Sequence, residues 1–267
     1  MQLSIDGHEV FVGTGGRSFD PALPAVVFLH GAGFDHSAWA LHDRWFAHHG
    51  FAVLVPDLPG HGRSAGPALK TIAAMADWVA ALLDAAGAKP AHLIGHSMGS
   101  LIALDAAARH PARVTKLSLV GTAATMTVGP DLLKAAEAND PAAIDMVSIW
   151  GLGYSAELGG SRAPGLWMHG AAQAILKRCP PGVLFSDLSA CNAYQDALVS
   201  AGKIAVPTTV IIGEKDMMTP AKAGKALAAA IADARTIVLE GAGHMMMAER
   251  PDALLAALSG APSPTGR

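Results

Sequence analysis

Gly95-His96-Ser97-Met98-Gly99 sets a hydroxyl between two glycines in the pattern G-x-S-x-G. A serine that is to attack a carbonyl must stand clear of the backbone. A tight strand-to-helix turn in a strained conformation achieves this, and flanking glycines remove the side chains that would collide there. The context fits: Ala91 to Ile94 reads as a short strand before the pentapeptide and Ser100 to His110 as a helix after it. The helix start also brings backbone N–H groups near Ser97, which favours negative charge. A serine hydroxyl needs a base, and the base needs an acid to orient it. The chain has 12 histidines, so type alone selects none. Position selects His244, which follows an expected strand, Arg235 to Leu239, in the small-residue loop Glu240-Gly241-Ala242-Gly243-His244. Asp216 follows the strand Thr209 to Ile212 in Gly213-Glu214-Lys215-Asp216, with Glu214 as the rival acid. Asp216 is preferred because it lies further into the loop. Both residues lie beyond carboxyl ends of strands, where open α/β sheets place their sites.

A tetrahedral intermediate of acyl transfer needs two N–H donors aimed at its oxygen. Met98, directly after Ser97, is expected to supply one. The other is expected from His30-Gly31-Ala32-Gly33, which ends the strand Ala25 to Leu29, with Ala32 as first choice and Gly33 as second. His30, Gly31, Gly33, Gly95, His96 and Gly99 then form the supporting loops. Asp57-Leu58-Pro59-Gly60-His61-Gly62-Arg63-Ser64 reads as a fixed turn in which Asp57, His61 and Arg63 are structural. His36, His42, His48 and His49 raise the thought of a metal, but no H-E-x-x-H or Cys/His ligand spacing occurs, so no metal is expected. No G-x-G-x-x-G or phosphate-binding loop occurs either, and no cofactor is expected. Met98, Met217, Met218 and Met245 to Met247 cluster near the candidate residues, where methionine would suit an adaptable apolar pocket or plain core filling.

These residues must be held by a scaffold. Ala25 to Leu29, Ala52 to Val55 and Thr209 to Ile212 are short apolar runs ended by turn residues or charge, as buried strands are. Val114 to Val120 and Arg235 to Leu239 alternate more. Helical stretches lie between them at Ser37 to His49, Thr71 to Ala86, Ser100 to His110, Ala221 to Ile231 and Asp252 to Leu258. Strand and helix alternate, which predicts an α/β fold with a mostly parallel sheet covered on both faces. Gln2 to Val12 is expected as an edge hairpin around Asp6-Gly7. Residues 122–203 break the pattern, with helical pieces near Pro130 to Ala138 and Ala142 to Trp150. They are expected to form a helical cap over a core made of residues 1–121 and 204–267. Trp150, Trp167, Leu166, Leu184 and Phe185 argue for burial there rather than a disordered linker. The tail from Ser259 to Arg267 is expected to be frayed.

Composition narrows the function classes. The 267 residues are 51% hydrophobic and 15% charged, with a net charge of −3 spread without blocks. That supplies a sizeable core and offers no basic patch for nucleic acid. No apolar run approaches the length of a membrane helix. The opening residues lack the basic start and apolar segment of a secretory signal, and the two cysteines, Cys179 and Cys191, are too few for a disulfide framework, so a cytoplasmic location is expected.

Taken together, H-G-A-G, D-L-P-G-H-G-R-S, G-H-S-M-G, G-E-K-D and G-A-G-H followed by M-M-M-A-E-R-P resemble the α/β-hydrolase superfamily, in its small esterase, lactonase and carbon–carbon hydrolase branch. The resemblance implies an eight-stranded, mostly parallel sheet with a helical cap between strands six and seven, a Ser97–Asp216–His244 triad, and no cofactor. Dehalogenases and epoxide hydrolases of that superfamily carry aspartate where this chain has Ser97. The carbon–carbon hydrolases often carry asparagine where it has His96. The expected function is therefore hydrolysis of carboxylic esters or thioesters of small to medium apolar substrates. A lactonase or carbon–carbon hydrolase is the alternative within the same chemistry, and a triad-retaining binding or receptor protein the alternative outside it. The oligomeric state is not legible.

Overall fold

The fold is that of a computed structural model, which describes residues 1–160 and 165–260; residues 261–267 of the expected frayed tail lie outside the described residues. Asp6 and Gly7 both take positive φ, 50° and 79°, and close a two-residue turn between β1 (Gln2–Ile5) and β2 (His8–Gly13), with Ile5 opposite His8. A turn with both central residues at positive φ matches the twist of the strands it joins. The remaining strands are β3 (Ala25–Leu29), β4 (Ala52–Pro56), β5 (Ala91–His96), β6 (Val114–Val120), β7 (Thr208–Gly213) and β8 (Arg235–Leu239). They form one eight-stranded sheet in the order β1-β2-β4-β3-β5-β6-β7-β8. The two pairings of β2 are antiparallel and all others parallel.

Every residue of β3, β4, β5 and β7 is buried, as strands covered on both faces must be. In β3 the two-residue period divides the side chains: Val27 and Leu29 join one core, Val26 and Phe28 the other. Helices α1 (Asp43–His48), α2 (Ile72–Ala85) and α3 (Met98–Arg109) lie between the first six strands. α2 and α3 cover the first face, α1 the second. The single helix expected over Ser37 to His49 is instead a 3-10 turn, His36–Trp39, followed by the short α1. The Asp35 carboxylate accepts the Ser37 N–H and starts the turn, and Trp39 is then drawn under the sheet against Phe28, 5.2 Å between ring centres.

Between β6 and β7 lie six helices in the described residues: α4 (Pro130–Glu137), α5 (Pro141–Trp150), α6 (Tyr154–Glu157), α7 (Met168–Leu176), α8 (Val183–Ala193) and α9 (Ala197–Ala201). They build a third, smaller core that includes Leu132, Val147, Leu152, Met168, Leu176 and Leu188 and reaches Phe34 and Met245 of the sheet's loops. This is the helical cap. Two of the aromatic residues expected to be buried in it are not: Trp150 is 39% and Trp167 73% exposed. Trp167 precedes α7 with its ring folded over Gly170, and Trp150 stands at the mouth of a pocket described below. The chain closes with α10 (Ala221–Ala229), α11 (Met246–Glu249) and α12 (Pro251–Ser259). No helix among the described residues is long and apolar enough to cross a membrane.

The strand order reverses beside β3, with β4 on one side and β5 on the other, so the loops leaving β3 and β5 diverge and leave a crevice. The turn from β5 into α3 is possible only because two backbones touch there. A Cβ on Gly95 would run into the Gly99 carbonyl, and one on Gly99 into the carbonyls of Leu29 and His30. Gly95→Ala is expected to destabilise the chain by more than about 3 kcal/mol, since rigid backbone rather than a movable side chain must give way. Urea unfolding checks this, and an unchanged midpoint would refute it.

Candidate active site

Ser97 sits at φ 54° and ψ −120°, in a region that side-chain-bearing residues rarely occupy. The surroundings hold it there. Its N–H donates to Val120 O at 2.9 Å, and its carbonyl accepts the Ser100 hydroxyl at 2.6 Å and the Ser100 N–H at 2.8 Å. Met98 follows at once as the first residue of α3.

Asp216 and His244 arrive from the loops after β7 and β8. His244 Nδ1 donates to Asp216 Oδ2 at 2.8 Å, and both side chains are buried. Burial pushes the Asp216 carboxyl up. The opposing His244 charge, the hydrogen bond from that ring and those from Thr219 outweigh it, so the carboxyl lies below the ordinary carboxylate range. The neighbours also donate to it: Met218 N at 2.9 Å and Thr219 N at 2.8 Å to Oδ1, and Thr219 Oγ1 at 2.7 Å to Oδ2. Thr219 escaped the sequence reading, although a threonine three residues after an aspartate in a loop is a recognisable turn signal. Glu214, the rival acid, is exposed and accepts the Gly241 N–H at 2.9 Å, which braces the His244 loop rather than the ring.

Two further residues fix that loop. His96 Nε2 donates to the His244 carbonyl at 2.9 Å, and its ring lies 4.7 Å from that of His244. Burial first, then the neighbouring His244, push the His96 ring down to about 3, so it remains neutral. Glu249 Oε2 accepts Gly243 N and Gly153 N, each at 3.0 Å, and joins the histidine loop to the cap. His244 Nε2 is buried and without a protein partner, and His244 and Ser97 line one cavity.

The loop after β3 is a turn, Gly31 to Phe34, closed by Phe34 N to Gly31 O at 3.2 Å, with Gly33 at φ 70°. His30 Nδ1 also donates to Gly31 O at 2.9 Å, while His30 Nε2 accepts Leu58 N at 3.2 Å. Gly33 N donates to Asp187 Oδ2 of α8 at 2.8 Å. The Gly33 amide, second choice as an oxyanion donor, is thereby committed elsewhere. Among the described residues no protein acceptor takes the Ala32 or Met98 N–H.

Asp57 and His61 divide. Asp57 accepts His36 N at 2.7 Å, His36 Nδ1 at 2.8 Å and Arg63 N at 2.9 Å, and so closes its own turn. His61 instead reaches Asp187, at 2.8 Å. Asp35, His36 and Asp57 are the one group among the described residues whose side chains come close enough to share a metal ion. Their atoms are already engaged: Asp35 with Ser37 and Arg178, His36 with Asp57.

The cavity above Ser97 measures about 270 Å³. Its floor carries Gly31, Ala32, His96, Ser97 and His244. Its walls are Phe34, Met126, Val128, Leu132, Val147, Trp150, Leu184, Leu188, Cys191, Met217, Met218 and Met245, with no lysine, arginine, aspartate or glutamate. The methionine cluster of the sequence thus splits. Met217, Met218 and Met245 face the cavity, while Met98, Met246 and Met247 fill the sheet's cores. Cys191 and Cys179 are free thiols, and burial pushes the latter up to about 12.

Comparison with known proteins agrees with this fold. The family described as alpha/beta hydrolase fold matches residues 24–251. The chain is 32% identical over 257 residues to a pimeloyl-[acyl-carrier protein] methyl ester esterase of Neisseria meningitidis, covering 90% of this chain and 93% of that one. It is 37% identical over 237 residues to the protein of the same name from Chromobacterium violaceum, covering 83% and 87%. Among solved structures, the enol-lactonase from Burkholderia xenovorans superposes with a TM-score of 0.87 at 26% identity, covering 97% of this chain and 98% of that one.

Proposed function

Because the chain belongs to the α/β-hydrolase fold family and is a hydrolase of ester bonds, we propose that it cleaves carboxylic esters through an acyl-enzyme on Ser97. His244 acts as base, Asp216 as its orienting acid, and the Ala32 and Met98 amides as the oxyanion hole. The single observation that carries this reading is the shared cavity: Ser97 and His244 line the same space, His244 Nε2 has no protein partner, and Asp216 holds the other ring nitrogen. Ser97 Oγ attacks the ester carbon as its proton passes to His244 Nε2. The carbonyl oxygen becomes an oxyanion that accepts the two N–H groups. Collapse expels the alkoxide, which takes the proton from His244. Water then attacks the acyl-serine, His244 accepts its proton and returns it to Ser97, and the acid leaves.

Residues 122–203 serve as the cap unit and residues 1–121 with 204–267 as the core. The cap supplies most of the apolar wall, so substrate choice follows from it. A 270 Å³ space without charged walls suits small to medium neutral acyl groups. The relatives' names introduce methyl esters, and the enol-lactonase likeness makes lactones the second class to assay. A lactone uses the same steps, with the leaving alkoxide still tethered to the acyl group.

A fluorophosphonate probe tests the reading without knowledge of the natural substrate. Labelling is expected at Ser97 alone, located by peptide mass spectrometry, with hydrolysis of p-nitrophenyl butyrate by the unlabelled enzyme. Labelling of another serine, or none, would sink the assignment of the nucleophile.

A further inference from the structure

Asp187 is wholly buried and lies on α8, in the cap, outside the expected catalytic set. A carboxylate with no exposure is costly unless it is paired and hydrogen-bonded. Its Oδ2 takes two donors, Gly33 N–H at 2.8 Å and His61 Nε2–H at 2.8 Å. His61 Nδ1 faces the Pro59 carbonyl at 3.1 Å. Both ring nitrogens face acceptors, an arrangement that favours the protonated ring. Burial opposes that charge, but the Asp187 carboxylate and the hydrogen bonds to Asp187 and Pro59 carry the ring's proton affinity above its ordinary value. The neighbouring His30 ring, 4.9 Å away, is pushed down to about 4 by burial and by His61. It stays neutral, with its single proton on Nδ1.

This pair acts on the turn that carries the Ala32 amide. A four-residue turn has a central peptide that can face either way, and Gly33 at φ 70° in third position is the orientation that glycine permits. The central N–H of this turn is that of Gly33, and Asp187 receives it. In the flipped orientation the Ala32 carbonyl would face the buried carboxylate instead, which is electrostatically unfavourable. The preceding peptide is fixed independently, because Gly31 O accepts both His30 Nδ1–H and Phe34 N–H. The strands thus orient one peptide of the turn and the cap orients the next.

We propose that Asp187 is a positioning residue: by receiving Gly33 N–H it ties the turn directly after the Ala32 amide to the seated cap, and so fixes where that amide stands, its orientation being set by Gly31 O. The cap is on this account part of the catalytic frame as well as the wall of the pocket. The proposal rests on the reading of Ala32 as an oxyanion donor.

The test compares the full chain with Asp187→Leu, which keeps the volume and removes the acceptor, and Asp187→Asn, whose amide oxygen in the place of Oδ2 can still take Gly33 N–H and His61 Nε2–H while its NH₂ takes the place of the unpartnered Oδ1. For p-nitrophenyl butyrate, Asp187→Leu is expected to lower kcat, and the rate of fluorophosphonate labelling, by about 100-fold, the scale of misplacing a catalytic group by about 1 Å. KM is expected to stay within about threefold, and Asp187→Asn to recover kcat to within about tenfold of the parent, because the interaction it keeps acts on the transition state rather than on substrate binding. Should Asp187→Leu fail to fold, Asp187→Ser replaces it with the same expectation. An unchanged kcat, a change confined to KM, or a kcat loss that asparagine does not recover would overturn the proposal. Absence of Ser97 labelling in the parent chain would instead remove the hydrolase reading, and the proposal with it.

Discussion

Ser97→Ala is expected to lower ester turnover by about 10⁶-fold, Asp216→Asn by about 10⁴-fold, and Glu214→Gln by less than about twofold. The first figure follows because Ser97 carries the hydroxyl proposed to form the acyl-enzyme. The second follows from the tautomer. An asparagine amide in place of Asp216 can present its NH₂ to His244 Nδ1, which places the ring proton on Nε2, where a base must be free to receive one. The third follows from geometry, since Glu214 braces Gly241 and never reaches the ring. Initial rates on p-nitrophenyl butyrate check all three. Equal losses in Asp216→Asn and Glu214→Gln would contradict the division of roles.

The second large effect is on stability in mild acid. His30, His42, His92 and His96 are buried and lie well below the ordinary imidazole value, at about 4, 4, 3 and 3, with burial as the largest cause in each. At neutral pH the rings are neutral in the native state and mostly neutral in the unfolded one, so the shifts contribute little. Below the unfolded value, roughly 6.5, the unfolded chain takes up protons that the native fold refuses, so stability falls with pH. Each histidine contributes a slope of about 1.4 kcal/mol per pH unit until its folded value is reached. Four together approach about 5 kcal/mol per unit, against a total stability of about 5–15 kcal/mol for a domain. His61 has the opposite sign: its contribution is complete below the ordinary imidazole value and is lost only as pH rises through its raised one. The thermal midpoint by circular dichroism is therefore expected to hold from pH 7 to about 6.5 and then drop steeply by pH 5. A flat midpoint down to pH 4.5 would mean that these rings find acceptors for a second proton in the native state.

What the sequence disclosed, and what it withheld, follows the range of the interactions. The Ser97 turn was legible because both of its glycines lie within five residues: Gly95 meets the Gly99 carbonyl, although Gly99 itself is required by the distant Leu29 and His30 carbonyls. Asp216 and His244 were legible from strand ends, since each lies just past the carboxyl end of a strand. The Asp6-Gly7 hairpin was legible from its turn chemistry. The link from Asp187 to His61 was not, because 126 residues separate the partners and an aspartate on a helix ordinarily reads as solvated. The break at Ala40 to His42 was missed for a related reason: an uninterrupted helical pattern gave way to burial of Trp39 against Phe28. In the cap, α6, α7 and α9 escaped because short helices carry weak periodicity, and α8 because its apolar residues, Val183-Leu184-Phe185 among them, do not fall on one face; the stability of all four comes from packing. The exposed Trp167 shows the limit of inferring burial from residue type alone.

The origin of the pocket's parts has a bearing on how such a chain can change over time. The floor, with Ser97, His244 and the donor loop, comes from turns locked by backbone contacts, where almost any substitution is penalised. Most of the walls come from one excursion between β6 and β7, lined by methionine, leucine and valine that exchange for one another at small expense. Mutation can therefore remodel which molecules fit while leaving the rate machinery intact, so lineages should diversify in diet faster than in chemistry. Asp187 marks the exception. It sits within the wall-forming segment yet bonds the floor's donor loop, so on the proposed reading a graft of a foreign cap onto this core is expected to need a buried acceptor at that position to keep full turnover.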